Sequence, residues 1–395
     1  MAGPAGDYGL REHIGIAVDG GGVRGAIVAH GIIELENILG ARPLIDDPRV
    51  KVLAGTSTGS LIAAGLALGL TGEEILALYT QLGKRAFSQA GTLRPFGARI
   101  PLLSRARLPI GTVRALEKLP LSIGEVLLYL LMPARYSFDP LRAIIRETLA
   151  KHAVLGADPT LAEVGAYLQA KPNRPTLIIT AVEVGARQTR FLKTTPSETY
   201  GQMKLADALL ASSCIPTYFD PIPIPPPPGA RPTRWLVDGG VGNFGNPALV
   251  VAWEMCEPLS QARGYDPAQV TLYSFGTGYV PTEIYDRAYG MAPKWWALDW
   301  AIRATDLFVD DTIREQTRNL VAQYRGIDLR RFQVLLDRVV DPDRFDLLDG
   351  YLMQKGEQLR RLVRQNRHAL RPPDEVDQRH DPEQIVSAPL EGLLR

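Results

Sequence analysis

Short apolar runs ending in glycine alternate with stretches of helical apolar spacing through the first part of the chain. Ile14–Val18 predicts a buried strand that ends in Asp19 and three glycines, and Ala26–Leu39, with Ile27, Ile33 and Ile38 on a helical repeat, predicts the helix after it. Val50–Ala54 predicts a second buried strand, and Leu61–Leu70 a helix rich in small residues that can lie close to a sheet. A strand, a glycine turn and a helix, occurring twice, predict parallel strands joined by crossovers, an α/β architecture.

The pattern then loosens. Residues 84–140 carry Lys84, Arg85, Arg94, Arg99, Arg105 and Arg107 among scattered prolines, and read as an inserted helical region: a cap, or an ordinary excursion packed on the core. Leu177–Val184 and Thr189–Lys193 predict adjacent strands, and Leu205–Ser213 a helix. Pro221–Pro228 is too stiff and too poor in N–H donors for a central strand. Trp235–Val237 and Val270–Phe275 predict strands ending in the turns Asp238-Gly239-Gly240 and Gly276-Thr277-Gly278. From Trp295 to about Leu370 the chain reads helical, and the tail after Pro372 is polar and proline-punctuated. This divides the chain into an N-terminal extension (1–13), a main domain (14–330), a C-terminal helical part (331–371) and a flexible tail (372–395).

Composition narrows the function. With 395 residues, nearly half of them apolar, a sizeable core can be buried. The 44 basic and 43 acidic residues leave a net charge of +1, which gives no basis for nucleic-acid binding or a general attraction to anionic membranes. Cys214 and Cys256 sit in apolar contexts and form no disulfide framework or metal pattern, compatible with a reducing, cytoplasmic location. The first 13 residues lack a basic start followed by an apolar stretch, so no secretory signal is expected. The apolar run Val126–Met132 is far shorter than the roughly 20 residues a spanning helix needs. The expectation is a protein that touches membranes peripherally and does not span them.

Three segments carry candidate chemistry. Gly55-Thr56-Ser57-Thr58-Gly59 lies between a predicted strand and a predicted helix, the setting of a nucleophile elbow with Gly55 and Gly59 as its small flanking residues; by itself the pentapeptide also fits an ordinary helix-capping turn. Gly20-Gly21-Gly22, followed by Arg24, lets backbone amides converge on one point. Those amides suit either a nucleotide phosphate or the oxyanion of an acyl-transfer intermediate. Gly20, Gly22 and Gly25 fit the loose dinucleotide pattern, but Asp46 and Asp47 precede the second strand instead of closing it, and an elbow at the next turn favours the oxyanion. The third segment is Asp238 with Gly239 and Gly240. A conventional triad requires histidine, yet none of His13, His30, His152, His368 and His380 follows a strand end in a glycine turn, and each reads as a surface residue. Asp238 does follow one, and a shielded carboxylate can take a hydroxyl proton directly.

With these segments in order, the chain resembles the patatin-like phospholipase family, of the bacterial type. The resemblance rests on Asp19-Gly20-Gly21-Gly22-Val23-Arg24-Gly25, Gly55-Thr56-Ser57-Thr58-Gly59 and Asp238-Gly239-Gly240, supported by Ala211–Phe219 and Ser274-Phe275-Gly276-Thr277-Gly278. It implies a three-layer α/β/α fold with a mostly parallel sheet, a Ser57–Asp238 dyad, an oxyanion hole from the Gly20–Gly22 amides with Arg24 stabilising charge, and hydrolysis of lipid acyl esters without metal or cofactor. Ser60 stands where the family often has glycine, and Gly245-Asn246-Pro247 replaces Asn-Asn-Pro. Trp295, Trp296 and Trp300, and separately Leu127–Met132, are either core stripes or anchors at a lipid surface. An acyltransferase using the same site, and a non-catalytic lipid- or nucleotide-binding module, are the alternatives to a hydrolase.

Overall fold

The computed structural model describes residues 10–85, 137–152, 154–216, 218–226, 229–257, 263–291, 293, 312–313, 315–340 and 344–365. In chain order its elements are β1 (His13–Val18), α1 (Gly25–Leu39), β2 (Val50–Thr56), α2 (Thr58–Ala67), α3 (Gly72–Arg85), α4 (Asp139–Ala150), α5 (Leu161–Gln169), β3 (Thr176–Glu183), β4 (Gln188–Lys193), α6 (Leu205–Ser212), β5 (Ile222–Pro223), β6 (Trp235–Asp238), α7 (Ala248–Cys256), β7 (Val270–Phe275), α8 (Thr282–Tyr289), β8 (Asp328–Phe332) and α9 (Met353–Gln365). They build an eight-stranded mixed sheet whose parallel centre is β3-β2-β1-β7-β8.

Strand periodicity sorts the core into two layers. Ile14, Ile16 and Val18 of β1, Leu177 and Ile179 of β3, and Tyr273 and Phe275 of β7 face one helical layer. Ala17, Ile178, Val270 and Leu272 face the other, where Val250 and Val251 of α7 cover them. The architecture is therefore helix, sheet, helix. On the first side α9 packs on α1: Leu359, Leu362 and Val363 are buried in the same core, and Glu34 of α1 accepts hydrogen bonds from Arg360 and Arg364.

The edge of β3 is divided between two strands, and this positions the site. Residues 178–183 of β3 pair antiparallel with β4 on one side. On the other side β2 runs parallel to β3 as far as Thr56↔Thr180, and β6 arrives from the opposite direction, ending at Asp238↔Ala181. Two strands running in opposite senses thus stop on consecutive residues of one edge.

Several expectations shift. Helix α2 starts at Thr58 and ends at Ala67, earlier than Leu61–Leu70, because the turn at Ser57 already caps it. The span read as helical from Trp295 to Leu370 contains a strand, β8, so the expected break between 330 and 331 falls inside an element of the central sheet. Its sequence, Asp-Leu-Arg-Arg-Phe, resembles a solvated helix face, yet Asp328, Arg330 and Arg331 are buried and satisfied by ion pairs. Ile222–Pro223, inside the proline-dense segment, forms only a two-residue strand at the edge of the sheet beside β6, in keeping with the exclusion of this segment from a central position. Residues 86–136, which hold most of the 84–140 insertion and the Leu127–Met132 run, lie outside the described residues, as do Trp295, Trp296, Trp300, His368, His380 and the tail. Among the described residues no helix is long and apolar enough to cross a membrane.

Candidate active site

Ser57 occupies the turn between β2 and α2 with φ 54° and ψ −126°. This backbone conformation is unfavourable for a side chain other than glycine and costs on the order of 1–3 kcal/mol, which the surrounding structure must offset. The offset is visible in the packing. The Ser57 N–H donates to Ser212 Oγ at 2.9 Å, and the Ser57 carbonyl accepts from Ser60 N at 2.9 Å and Ser60 Oγ at 2.6 Å. Gly55 and Gly59 have no space for a Cβ: one on Gly55 would overlap the Gly59 carbonyl, and one on Gly59 would overlap the Val18 carbonyl of β1. The turn is therefore wedged against the sheet, and Ser60, where a further glycine was the familial pattern, uses its hydroxyl to tie the turn closed.

Asp238 ends β6. Its N–H donates to the Cys214 carbonyl at 2.9 Å, Oδ1 accepts from the Gly240 N–H at 2.6 Å, and Oδ2 accepts from Ser57 Oγ at 2.7 Å. Gly239 lies flat on β3, where a Cβ would meet the Thr180 hydroxyl and carbonyl. Ser57 and Asp238 are 6% and 3% exposed, so the carboxylate has little water to stabilise its charge. Burial pushes its pKa up to about 7, against the opposing pull of the Gly240 amide and the Ser57 hydroxyl. A carboxylate of that basicity, hydrogen-bonded to a hydroxyl, is suited to remove its proton near neutral pH.

The glycine turn lies against the serine: a Cβ on Gly20 would be 3.3 Å from Ser57 Cβ. Its three amides are not equivalent. The Gly20 N–H donates to the Gly245 carbonyl at 3.1 Å, which removes it from the expected set of oxyanion donors; among the described residues no acceptor faces the N–H of Gly21 or Gly22. Gly22 has φ 57°, the left-handed conformation that glycine adopts without strain. Thr277 Oγ1 donates to the Gly20 carbonyl at 2.7 Å. Arg24 folds back on the turn, with Nε donating to the Gly21 carbonyl at 3.2 Å and Nη1 to the Gly278 carbonyl at 3.4 Å. Asp19 is buried beneath the turn. Burial raises its pKa, and the Arg331 guanidinium, donating to both carboxylate oxygens, pulls it down.

The three described histidines are engaged elsewhere. His13 opens β1 and stacks on Tyr265, and His152 Nδ1 accepts from the Val154 and Leu155 amides. His30, expected at the surface, is instead buried between α1 and α9 and faces Glu357 at 3.2 Å, because its face of α1 is the one α9 covers. Among the described residues none is hydrogen-bonded to Ser57 or Asp238, and no group of three or more His, Cys, Asp and Glu side chains is placed to hold a metal. Cys214 is buried, and its thiol donates to the Asp220 carbonyl at 3.0 Å. Sequence reasoning gave no role to Ser212, although it lies in a familial block, and missed Arg331, hidden in a run that reads as helix.

The patatin-like phospholipase family model matches residues 16–252. A cGAMP-activated phospholipase of Pseudomonas aeruginosa is 26% identical over 316 residues, 77% of this chain and 75% of its own. An intracellular phospholipase A2 of Caenorhabditis elegans is 28% identical over 280 residues, 69% of this chain but 20% of its own length. Patatin-15 of Solanum tuberosum is 25% identical over 312 residues, 73% of this chain and 66% of its own. Among solved structures, VipD of Legionella pneumophila aligns over 89% of this chain and 67% of its own, at 14% identity and a TM-score of 0.38.

Proposed function

The chain belongs to the patatin-like phospholipase family, and from that premise we propose that it hydrolyses carboxylic esters of phospholipids or related lipids through Ser57 and Asp238. The observation that carries this reading is the 2.7 Å hydrogen bond from Ser57 Oγ to a buried carboxylate held near pKa 7. Asp238 Oδ2 accepts the Ser57 proton as Oγ attacks the ester carbonyl carbon. The negative charge that develops on the carbonyl oxygen is met by the Gly21 and Gly22 amides, assisted by the positive N-terminal end of α2. Asp238 returns the proton to the departing alcohol, leaving an acyl group on Ser57. Water then gives a proton to Asp238 as its oxygen attacks the acyl carbon, and the proton passes back to Ser57 Oγ as the fatty acid leaves.

Substrate reaches the site from a lipid aggregate or membrane surface on this reading, as the family's lipid chemistry requires. Ser57→Ala and Asp238→Asn proteins are expected to fold and to lose at least about a thousandfold in the hydrolysis of a short p-nitrophenyl ester. A near-normal rate in either overturns the dyad. Ending the chain after Arg371 and replacing His368 with Ala is expected to leave the rate unchanged; loss of activity there would instead indicate a histidine base. Fatty acid released from a mixed lipid extract by the wild type, and absent with Ser57→Ala, would identify the substrate, whereas acyl transfer to an added alcohol in preference to water would make the protein a transferase.

A further inference from the structure

We infer that Arg331 of β8 is a positioning residue for the oxyanion turn, acting through the buried carboxylate of Asp19; the inference rests on the reading of Ser57 and the glycine turn given above. Arg331 and Asp19 are 4% and 1% exposed, and each guanidinium Nη meets its own carboxylate oxygen, Nη1 to Oδ1 at 3.1 Å and Nη2 to Oδ2 at 2.5 Å. A two-point contact fixes the direction of a carboxylate as well as its distance. Asp19 directly precedes Gly20, so that direction is passed to the turn.

The pair does not stand alone. Nη1 of Arg331 also donates to Ser274 Oγ at 2.6 Å, the Ser274 hydroxyl is 3.4 Å from Asn246 Oδ1, and Asn246 Nδ2 donates to Thr317 Oγ1 at 3.0 Å. The Gly20 N–H meets the carbonyl of Gly245, the neighbour of Asn246. A buried polar chain therefore links the turn after β1, the strand β7 and the Gly245-Asn246-Pro247 segment that follows Asp238. The start of the turn is held twice: the Asp19 carboxylate by Arg331, and the Gly20 amide by the segment behind the base. With the Gly20 amide already engaged, the direction of the Gly21 and Gly22 amides depends on this anchorage.

The same strand provides a control. Arg330 is fully buried, pairs with Asp328 on its own face of β8 at 2.8 Å and lies over the Tyr273 ring. Arg330→Met and Arg331→Met each break a buried ion pair one residue apart, so a purely structural role predicts the same outcome for both. Positioning predicts that Arg331→Met lowers kcat on a short soluble ester about 10- to 100-fold with KM within about twofold, as expected for displaced donors. Arg330→Met is expected to keep kcat within about twofold at a comparable loss of thermal stability, since the ion pair it breaks is with Asp328 and not with Asp19 of the turn. Arg331→Lys, which keeps the charge and one of the contacts, is expected to recover part of the lost kcat. Rates are referred to folded protein, measured by circular dichroism, so that partial unfolding is not read as lost catalysis. Normal kcat in Arg331→Met, an equal fall in Arg330→Met, or no recovery in Arg331→Lys overturns the inference. An active Ser57→Ala protein would instead overturn the reading on which it rests.

Discussion

Thr56 and Asp238 pair with adjacent residues of one strand, Thr180 and Ala181, although they lie on strands that run in opposite directions. The hydroxyl of Ser57, one residue beyond Thr56, is thereby brought against the Asp238 carboxylate. The pairing register of β3 therefore sets the geometry of the candidate site, and slippage by one residue would turn the serine or the aspartate to the opposite face.

The basicity of Asp238 gives a direct kinetic expectation. The group is competent as a base only when ionised, and burial holds its pKa up to about 7. Below that point kcat/KM on a soluble ester should rise about tenfold per pH unit, levelling off above it. A pH–rate profile on wild-type protein measures this; a flat profile between about pH 5 and 8 would remove Asp238 from the role.

The same shift has a consequence for stability. The native carboxyl keeps its proton up to about 7, whereas an unfolded aspartate, with an ordinary value of 3.8, releases it earlier. Over that interval the native state binds more protons, so its contribution to stability falls as pH rises. Asp238→Asn removes the buried charge and is expected to melt above the wild type at about pH 8, with the gap narrowing towards about pH 4. Thermal melts at both pH values test this, and a gap that does not change with pH contradicts it.

Much of this was legible in the chain because it rested on local signals. Glycines at 20–22, 55, 59, 239 and 240 marked the turns, and apolar runs ending in them marked β1, β2, β6 and β7. What escaped was non-local. Asp328, Arg330 and Arg331 look solvated in sequence and are buried in a strand where Asp328 pairs with Arg330 and Asp19, 312 residues away, pairs with Arg331. His30 is a core residue because α9 returns to cover its face of α1. The Gly20 amide, expected to serve the oxyanion, meets a carbonyl at Gly245 that no spacing rule could indicate.

Ser212 is a sequence-silent support for Ser57. Its hydroxyl is the acceptor for the buried Ser57 N–H, and Ser212→Ala leaves that donor unsatisfied. The expected cost is about 1–3 kcal/mol, together with a lower kcat as the strained turn relaxes. Denaturant titration and steady-state kinetics on one preparation measure both; unchanged stability would show that the contact is dispensable.

Two glycines separate close approach from backbone conformation. Gly59→Ala would drive a methyl group into the Val18 and Asp19 carbonyls, and β1 cannot move away. A loss of about 3 kcal/mol or more is expected. Gly40 ends α1 with φ 67° and nothing near it, so Gly40→Ala is expected to cost only about 1 kcal/mol. Chemical denaturation of the two proteins gives the comparison, and equal losses would count against the packing argument.

The seam where β2 and β6 abut also bears on when the chain becomes active during its synthesis. Its serine is made early and its carboxylate 181 residues later, so on the proposed mechanism a nascent polypeptide that has passed the first but not the second carries a nucleophile with no base. On that reading, truncated products ending before residue 238 are expected to be inert towards esters.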